Sequence, residues 1–159
     1  MGAGKSTIAK LLAEKMKIDY CDTDSDIESN LNLKIHDIFN LHGKKYFRNL
    51  ERDLIIKNKK KIVACGGGLP VYLNNMDTIN KLGTTIYLKT CLEDLFNRLR
   101  NTHNRPLLLK IENSDLKNYI QKDLEYRKAI YEKAHYIIDT KNKDVSRVLA
   151  EVYSLVRTL

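Results

Sequence analysis

The chain begins with Gly2-Ala3-Gly4-Lys5-Ser6-Thr7, the second half of a phosphate-binding loop, G-x-x-x-x-G-K-[ST], without its first glycine and the strand before it. Such a loop wraps backbone N–H groups around phosphates, brings the lysine to the outer phosphates and sets the Ser/Thr hydroxyl against Mg²⁺. Gly4, Lys5 and Ser6 have the spacing for that work. The following helix, from about Lys5 to Lys15, places Ile8, Leu11, Leu12 and Met16 on one face, so phosphates would lie at its positive N-terminus. The same six residues also read as a glycine-rich turn before an ordinary helix, and the rest of the chain has to separate the two readings.

With 159 residues, 43% of them apolar, the chain is expected to form one domain, residues 1–159, that buries roughly two-thirds of its unfolded surface. Cys21, Cys65 and Cys91 are odd in number and far apart. That spacing predicts reduced core thiols in a cytoplasmic protein and does not suit zinc. No stretch approaches the ~18 apolar residues of a membrane span, and Lys5 and Lys10 interrupt any apolar leader. The formal charge of +8 comes largely from scattered lysines and the run Lys57-Asn58-Lys59-Lys60-Lys61. This reads as a solvated face, lacking the arginine and aromatic stripe of a nucleic-acid surface, although its field favours anionic ligands.

Extended and helical patterns alternate along the chain. Strands are predicted at Ile18–Cys21, Lys61–Cys65, Thr84–Leu88 and Tyr136–Ile138. Helices are predicted over about 44–58, 92–100, 116–133 and 145–156, with further helical segments marked by Ile27, Leu31, Ile35 and Ile38 and by Tyr72, Met76, Ile79 and Leu82. Strands separated by helices imply a parallel sheet with helices on both sides, and ligands in such sheets bind beyond the C-terminal strand ends.

That rule singles out several residues. Asp22 and Asp24 follow the first strand, where carboxylates suit Mg²⁺ coordination and the orientation or deprotonation of an attacking hydroxyl; equally, Asp24 or Ser25 can simply cap the next helix. Gly66-Gly67-Gly68 follows another strand and permits close backbone approach to a ligand. Arg48, Arg105 and Arg127 lie in separate regions, and each guanidinium offers a fork for carboxylate or phosphate. Glu51, three residues after Arg48, either pairs with it on the surface or holds it for a ligand. The polar run Asn101 to Asn104 before Arg105-Pro106 has the character of a lid over a site that must exclude water.

Together, the motif Gly2 to Thr7, Asp22-Thr23-Asp24, Phe47-Arg48-x-x-Glu51, Gly66-Gly67-Gly68, Arg105-Pro106-Leu107-Leu108, and Arg127 four residues before Tyr131 resemble the shikimate kinase family. The resemblance implies a P-loop kinase fold, three-layer α/β/α with a five-stranded parallel sheet whose first, central strand is missing here. It also implies a substrate-binding region at about 23–60 and a lid at about 101–113. Residues Gly2, Ala3, Gly4, Lys5, Ser6 and Thr7 would hold ATP, with Arg98 near the adenine. Ser6 and Asp22 would hold Mg²⁺, and Asp24 would engage the attacking ring hydroxyl of shikimate. Arg48 and Arg127 would clamp its carboxylate against Gly66 to Gly68, and Arg105 would close over the transferring phosphate. Lys5, Asp24 and Arg105 are thus the expected catalytic residues. Asp139, after the strand Tyr136–Ile138, has the look of a metal-binding aspartate but falls on the last strand, where a structural or adenine-side role is expected.

The reaction implied is in-line transfer of the γ-phosphoryl group to a secondary alcohol, without a covalent intermediate. Expected partners are shikimate and ATP alone, with neither nucleic acid nor membrane, for a monomer. A gluconate-type kinase and an inactive nucleotide-binding fragment are the rival readings. The chain is also expected to be an N-terminally truncated form whose neighbouring central strands keep unpaired backbone groups.

Overall fold

The computed structural model describes residues 2–100, 111 and 113–158. The elements are α1 (Lys5–Met16), β1 (Tyr20–Asp22), α2 (Thr23–Leu31), α3 (Ile35–Lys57), β2 (Ile62–Ala64), a 3-10 turn (Tyr72–Asn74), α4 (Asn75–Leu82), β3 (Ile86–Lys89), α5 (Leu92–Leu99), α6 (Asn113–Tyr131), β4 (Tyr136–Asp139) and α7 (Val145–Val156). This is the alternating α/β order that the sequence predicts, and none of its described helices is long and apolar enough to cross a membrane.

Local chemistry explains the element limits. In α1, Ile8, Ala9, Leu12 and Ala13 form the buried stripe, and the helix closes where Lys17 turns left-handed and its N–H meets the Ala13 and Glu14 carbonyls. Ile18 N–H still bonds to Ala13 O at 3.0 Å, so β1 starts at Tyr20 and not at the predicted Ile18. α3 is two helical stretches joined at Gly43, whose φ of 79° and ψ of 167° break the helix; a residue with Cβ rarely adopts such a φ. The longer stretch therefore starts where the sequence predicts it, near Lys44. In α7, Asp144 caps the first turn by accepting from Arg147 N–H at 2.8 Å.

The strands form two parallel pairs. Tyr20, Cys21 and Asp22 of β1 stand opposite Ile62, Val63 and Ala64 of β2, and Ile86 to Lys89 of β3 stand opposite Tyr136 to Asp139 of β4. Among the described residues, β2 and β3 each have a strand on one side only. A cavity of about 460 Å³ lies between the pairs, walled by Ile62 and Ala64, by Ile86 and Leu88, and by Ile8 and Leu12 of α1.

Three apolar clusters support this frame. Ile8 and Leu12 pack with Leu88, Ile138, Val148 and Val152, which fastens α1 to the β3–β4 pair. Leu95 and Leu99 of α5 meet Leu116 and Ile120 of α6. Ile27 of α2 meets Ile38 and Phe47 of α3, all nearly inaccessible to solvent. That last cluster holds the Arg48-bearing helix against α2, which begins directly after β1.

Candidate active site

The N-terminus of α1 faces the end of β1. Gly4, with φ of 80°, turns the backbone into the helix just before Lys5 and Ser6. Ser6 Oγ donates to Asp22 Oδ2 at 2.6 Å, and the Tyr20 hydroxyl donates to the same oxygen at 3.1 Å. Asp22 Oδ1 accepts from Asp24 N–H at 3.1 Å and Ser25 N–H at 3.2 Å. Asp22 is therefore the N-cap of α2, and not Asp24 or Ser25, because its side chain precedes the helix and reaches back over the first turn. One carboxylate serves both readings of the Asp-x-Asp pattern, with Oδ1 turned to the helix and Oδ2 to Ser6. Tyr20 was not foreseen, although strand period two places it on the face of Asp22. Burial, and then the Asp22 charge, push its pKa up to about 12.

The end of β2 is bonded to this corner. Thr23, wholly buried, accepts from Gly66 N–H at 2.8 Å and donates to Ala64 O at 3.4 Å. Nothing in the sequence marks Thr23 apart from its place between two aspartates. Glu51 is also wholly buried, and its Oε2 forms an ion pair with Arg48 Nη1. The surface-pair reading of these residues is thereby excluded. Glu51 Oε1 is buried with no hydrogen-bond partner among the described residues. Burial raises the Glu51 pKa to about 7, against the lowering influence of Arg48 and with a further upward push from Asp24.

These side chains press on the triglycine loop. A Cβ at Gly66 would collide with Glu51 Oε1 and stand 2.6 Å from Asp24 Oδ1, and one at Gly68 would collide with the Arg48 guanidinium. The glycines are required here by close approach of charged side chains. On the other side, Tyr131 donates to Gly67 O at 2.6 Å, and Arg127 Nη1 lies 3.5 Å from the Tyr131 oxygen. Arg127 is anchored by Asp123 at 2.6 Å. Burial raises the Cys65 thiol pKa to about 12, with the charge of Glu51 the next largest influence.

The structure thus gathers Lys5, Ser6, Asp22, Asp24, Arg48, Arg127 and Gly66 to Gly68 around the C-terminal ends of β1 and β2. Arg98 lies on the P-loop side, donating to Gly2 O at 3.1 Å. Arg105 and most of the expected lid at 101–113 lie outside the described residues. Among the described residues no group of three or more His, Cys, Asp or Glu side chains is arranged to hold a metal; the Ser6–Asp22 pair offers two hard oxygens, the donor type that suits Mg²⁺ bound mainly through phosphate and water.

A family model described as Shikimate kinase matches residues 1–157. The chain is 37% identical to the shikimate kinase of Sulfurihydrogenibium sp. (strain YO3AOP1), over 99% of its own length and 93% of that protein's. It is 39% identical to that of Persephonella marina, covering 99% and 94%. Among solved structures, shikimate kinase from Bacteroides thetaiotaomicron superposes with a TM-score of 0.90 at 30% identity, covering 99% of this chain and 94% of that one. Shikimate kinase from Acinetobacter baumannii in complex with shikimate gives 0.87 at 29%, covering 99% and 89%.

Proposed function

This chain belongs to the shikimate kinase family, and we propose that the residues at the ends of β1 and β2 carry its reaction. The protein has the P-loop α/β kinase fold and is an ATP-dependent kinase that phosphorylates the 3-hydroxyl of shikimate, a step of aromatic amino acid (chorismate) biosynthesis.

Residues Gly2 to Thr7 hold the phosphates of ATP, with Lys5 on the outer ones and Arg98 toward the adenine. Ser6 and Asp22 hold Mg²⁺, which when bound neutralises charge on the phosphate oxygens. Asp24 orients the attacking hydroxyl and accepts its proton as the new P–O bond forms and the bond to ADP breaks. Arg48, kept in place by Glu51, and Arg127, kept in place by Asp123, bind the carboxylate through paired N–H donors. Gly66, Gly67 and Gly68 bring the backbone against the ring, and Arg105 neutralises the transferring phosphoryl group. Catalysis rests on positioning and on fixed charge. We place the protein in the cytoplasm as a monomer; its cysteines are free, which fits a reducing compartment.

The observation that carries this reading is the convergence of Asp24, Glu51 and Arg48 on Gly66 and Gly68, close to the Ser6–Asp22 pair. A general nucleotide-binding fragment has no need to bury a carboxylate–guanidinium pair beside its metal corner. ADP release measured with shikimate, gluconate and nucleoside monophosphates tests it: release with shikimate alone is expected, and preference for either of the others defeats the assignment.

A further inference from the structure

Tyr131 has no role in the reaction as assigned above, yet it sits where three parts of the site meet. Its hydroxyl donates to the Gly67 carbonyl, 64 positions away in sequence, at 2.6 Å, the short end of the usual O–H···O range. Arg127, one turn earlier on α6, places Nη1 3.5 Å from the same hydroxyl. The Tyr131 ring lies against that of Tyr87 in β3, with centroids 5.1 Å apart and planes inclined by 49°. The side chain thus joins α6, the loop after β2 and strand β3 beside the central cavity, whose wall it shares with Gly67 and Tyr87.

Three successive glycines have no side chains to fix their own backbone, and glycine has the widest conformational freedom of any residue. The position of the loop is therefore set from outside. Thr23 holds Gly66 N–H from the β1 side, and Tyr131 holds Gly67 O from the α6 side. Arg48 packs directly over Gly68, while Arg127 reaches the loop through the phenol. Asp123 anchors one nitrogen of Arg127 at 2.6 Å, and the Tyr131 oxygen lies at the other.

We propose that Tyr131 is a positioning residue that keys Arg127 to the triglycine loop, so that Arg48 and Arg127 keep one spacing, and that this spacing sets the preference for a substrate bearing a carboxylate. The inference rests on the assignment of Arg48 and Arg127 to the shikimate carboxylate.

Tyr131→Phe keeps the ring against Tyr87 and removes both hydroxyl contacts. ADP release is to be measured with shikimate and with its methyl ester, and calorimetric titration of both reads the same ratio without turnover. For Tyr131→Phe, KM for shikimate should rise by about 3–10-fold, the size of one hydrogen bond, with kcat and the KM for ATP within about twofold. The ester should be unaffected, so that preference for the acid falls by the same factor. Arg127→Ala should lower that preference further, and the double variant should do no worse than Arg127→Ala alone. If Tyr131→Phe weakens acid and ester equally, its role is structural and the proposal is overturned. If Arg127→Ala removes the preference while Tyr131→Phe leaves it intact, the proposal is overturned and the clamp stands. If Arg127→Ala itself leaves the preference unchanged, the clamp and the proposal fail together.

Discussion

Among the described residues, the buried polar side chains around β1 and β2 are, apart from Asn75 on α4, Asp22, Thr23 and Glu51, and each of these three meets a group of the candidate site. Around β3 and β4 they are Thr90 and Thr140, which bond to each other at 2.9 Å at the strand ends, within a core of Leu88, Ile138, Val148 and Val152. A buried carboxylate is costly unless paired, and a paired one seldom gains over an apolar replacement. Retaining Glu51, with one oxygen unpartnered among the described residues, therefore points to a task at the site, where it holds Arg48. The other pair is a scaffold: through Ile8 and Leu12 it fixes α1, and with it the direction of Lys5 and Ser6.

The sharpest contrast sets two strand-end aspartates against each other. Asp24→Asn should lower kcat by about 10²–10⁴-fold, the usual worth of a positioned proton acceptor, with KM for ATP little changed. Asp139→Asn, at the end of β4, touches an exposed side chain whose Oδ1 accepts from Lys141 N–H at 2.8 Å, and should leave kcat within about twofold. Steady-state kinetics of the two variants compare the halves directly.

Next in size is the buried ion pair. Glu51→Ala leaves the Arg48 guanidinium without its partner and should cost about 3–5 kcal/mol in denaturant unfolding. Its pH dependence has a definite sign. The folded-state pKa of about 7 lies above the ordinary 4.5, so folding favours the protonated form. The contribution of this group to stability is therefore greatest below pH 4.5 and is lost as pH rises to about 7. Glu51→Gln should flatten that part of the stability profile; an unchanged slope would place the titration elsewhere.

Glycines divide in the same way. Gly66→Ala and Gly68→Ala force a methyl group into Glu51 and Arg48, and the ~1–3 kcal/mol of overpacking should appear as about 5–150-fold weaker shikimate binding. Gly83, just ahead of β3, has extended backbone and open space at its Cβ position. Gly83→Ala should leave binding unchanged in the same titration.

The smallest contrast lies between two buried threonines. Thr23→Val strands Gly66 N–H and Ala64 O, with an expected loss of about 1–3 kcal/mol and a raised KM for shikimate. Thr140→Val breaks its bonds to Thr90 and to the Lys89 carbonyl and should also cost about 1–3 kcal/mol, but with both KM values unchanged. Equal effects on KM would erase the distinction between the halves.

What the sequence disclosed divides along the same line of reasoning. Motifs carried by neighbouring residues were legible as positions: Gly4-Lys5-Ser6 opens α1, Asp22 and Asp24 lie at the end of β1 and the triglycine run after β2, and Arg48 and Glu51 sit three apart on α3. The limits of α7 coincide with its apolar pattern from Val145 to Val156. The cavity between the strand pairs was not legible: among the described residues β2 and β3 flank it and do not pair with each other. Bonds across long sequence separations were not legible. Thr23 meets Gly66 over 43 positions, and Tyr131 meets Gly67 over 64; neither residue type at its place announces such a partner. Nor does composition reveal that Asp22 divides its two oxygens between a helix cap and Ser6, because that depends on the angle at which α2 leaves β1.

The most direct measurement is a crystal structure of the protein with shikimate and ADP. The shikimate ring should lie against Gly66 to Gly68, with its 3-hydroxyl about 3 Å from an Asp24 oxygen and its carboxylate between Arg48 and Arg127. Shikimate seated at the ends of β3 and β4, or with its carboxylate turned away from both arginines, would contradict the account.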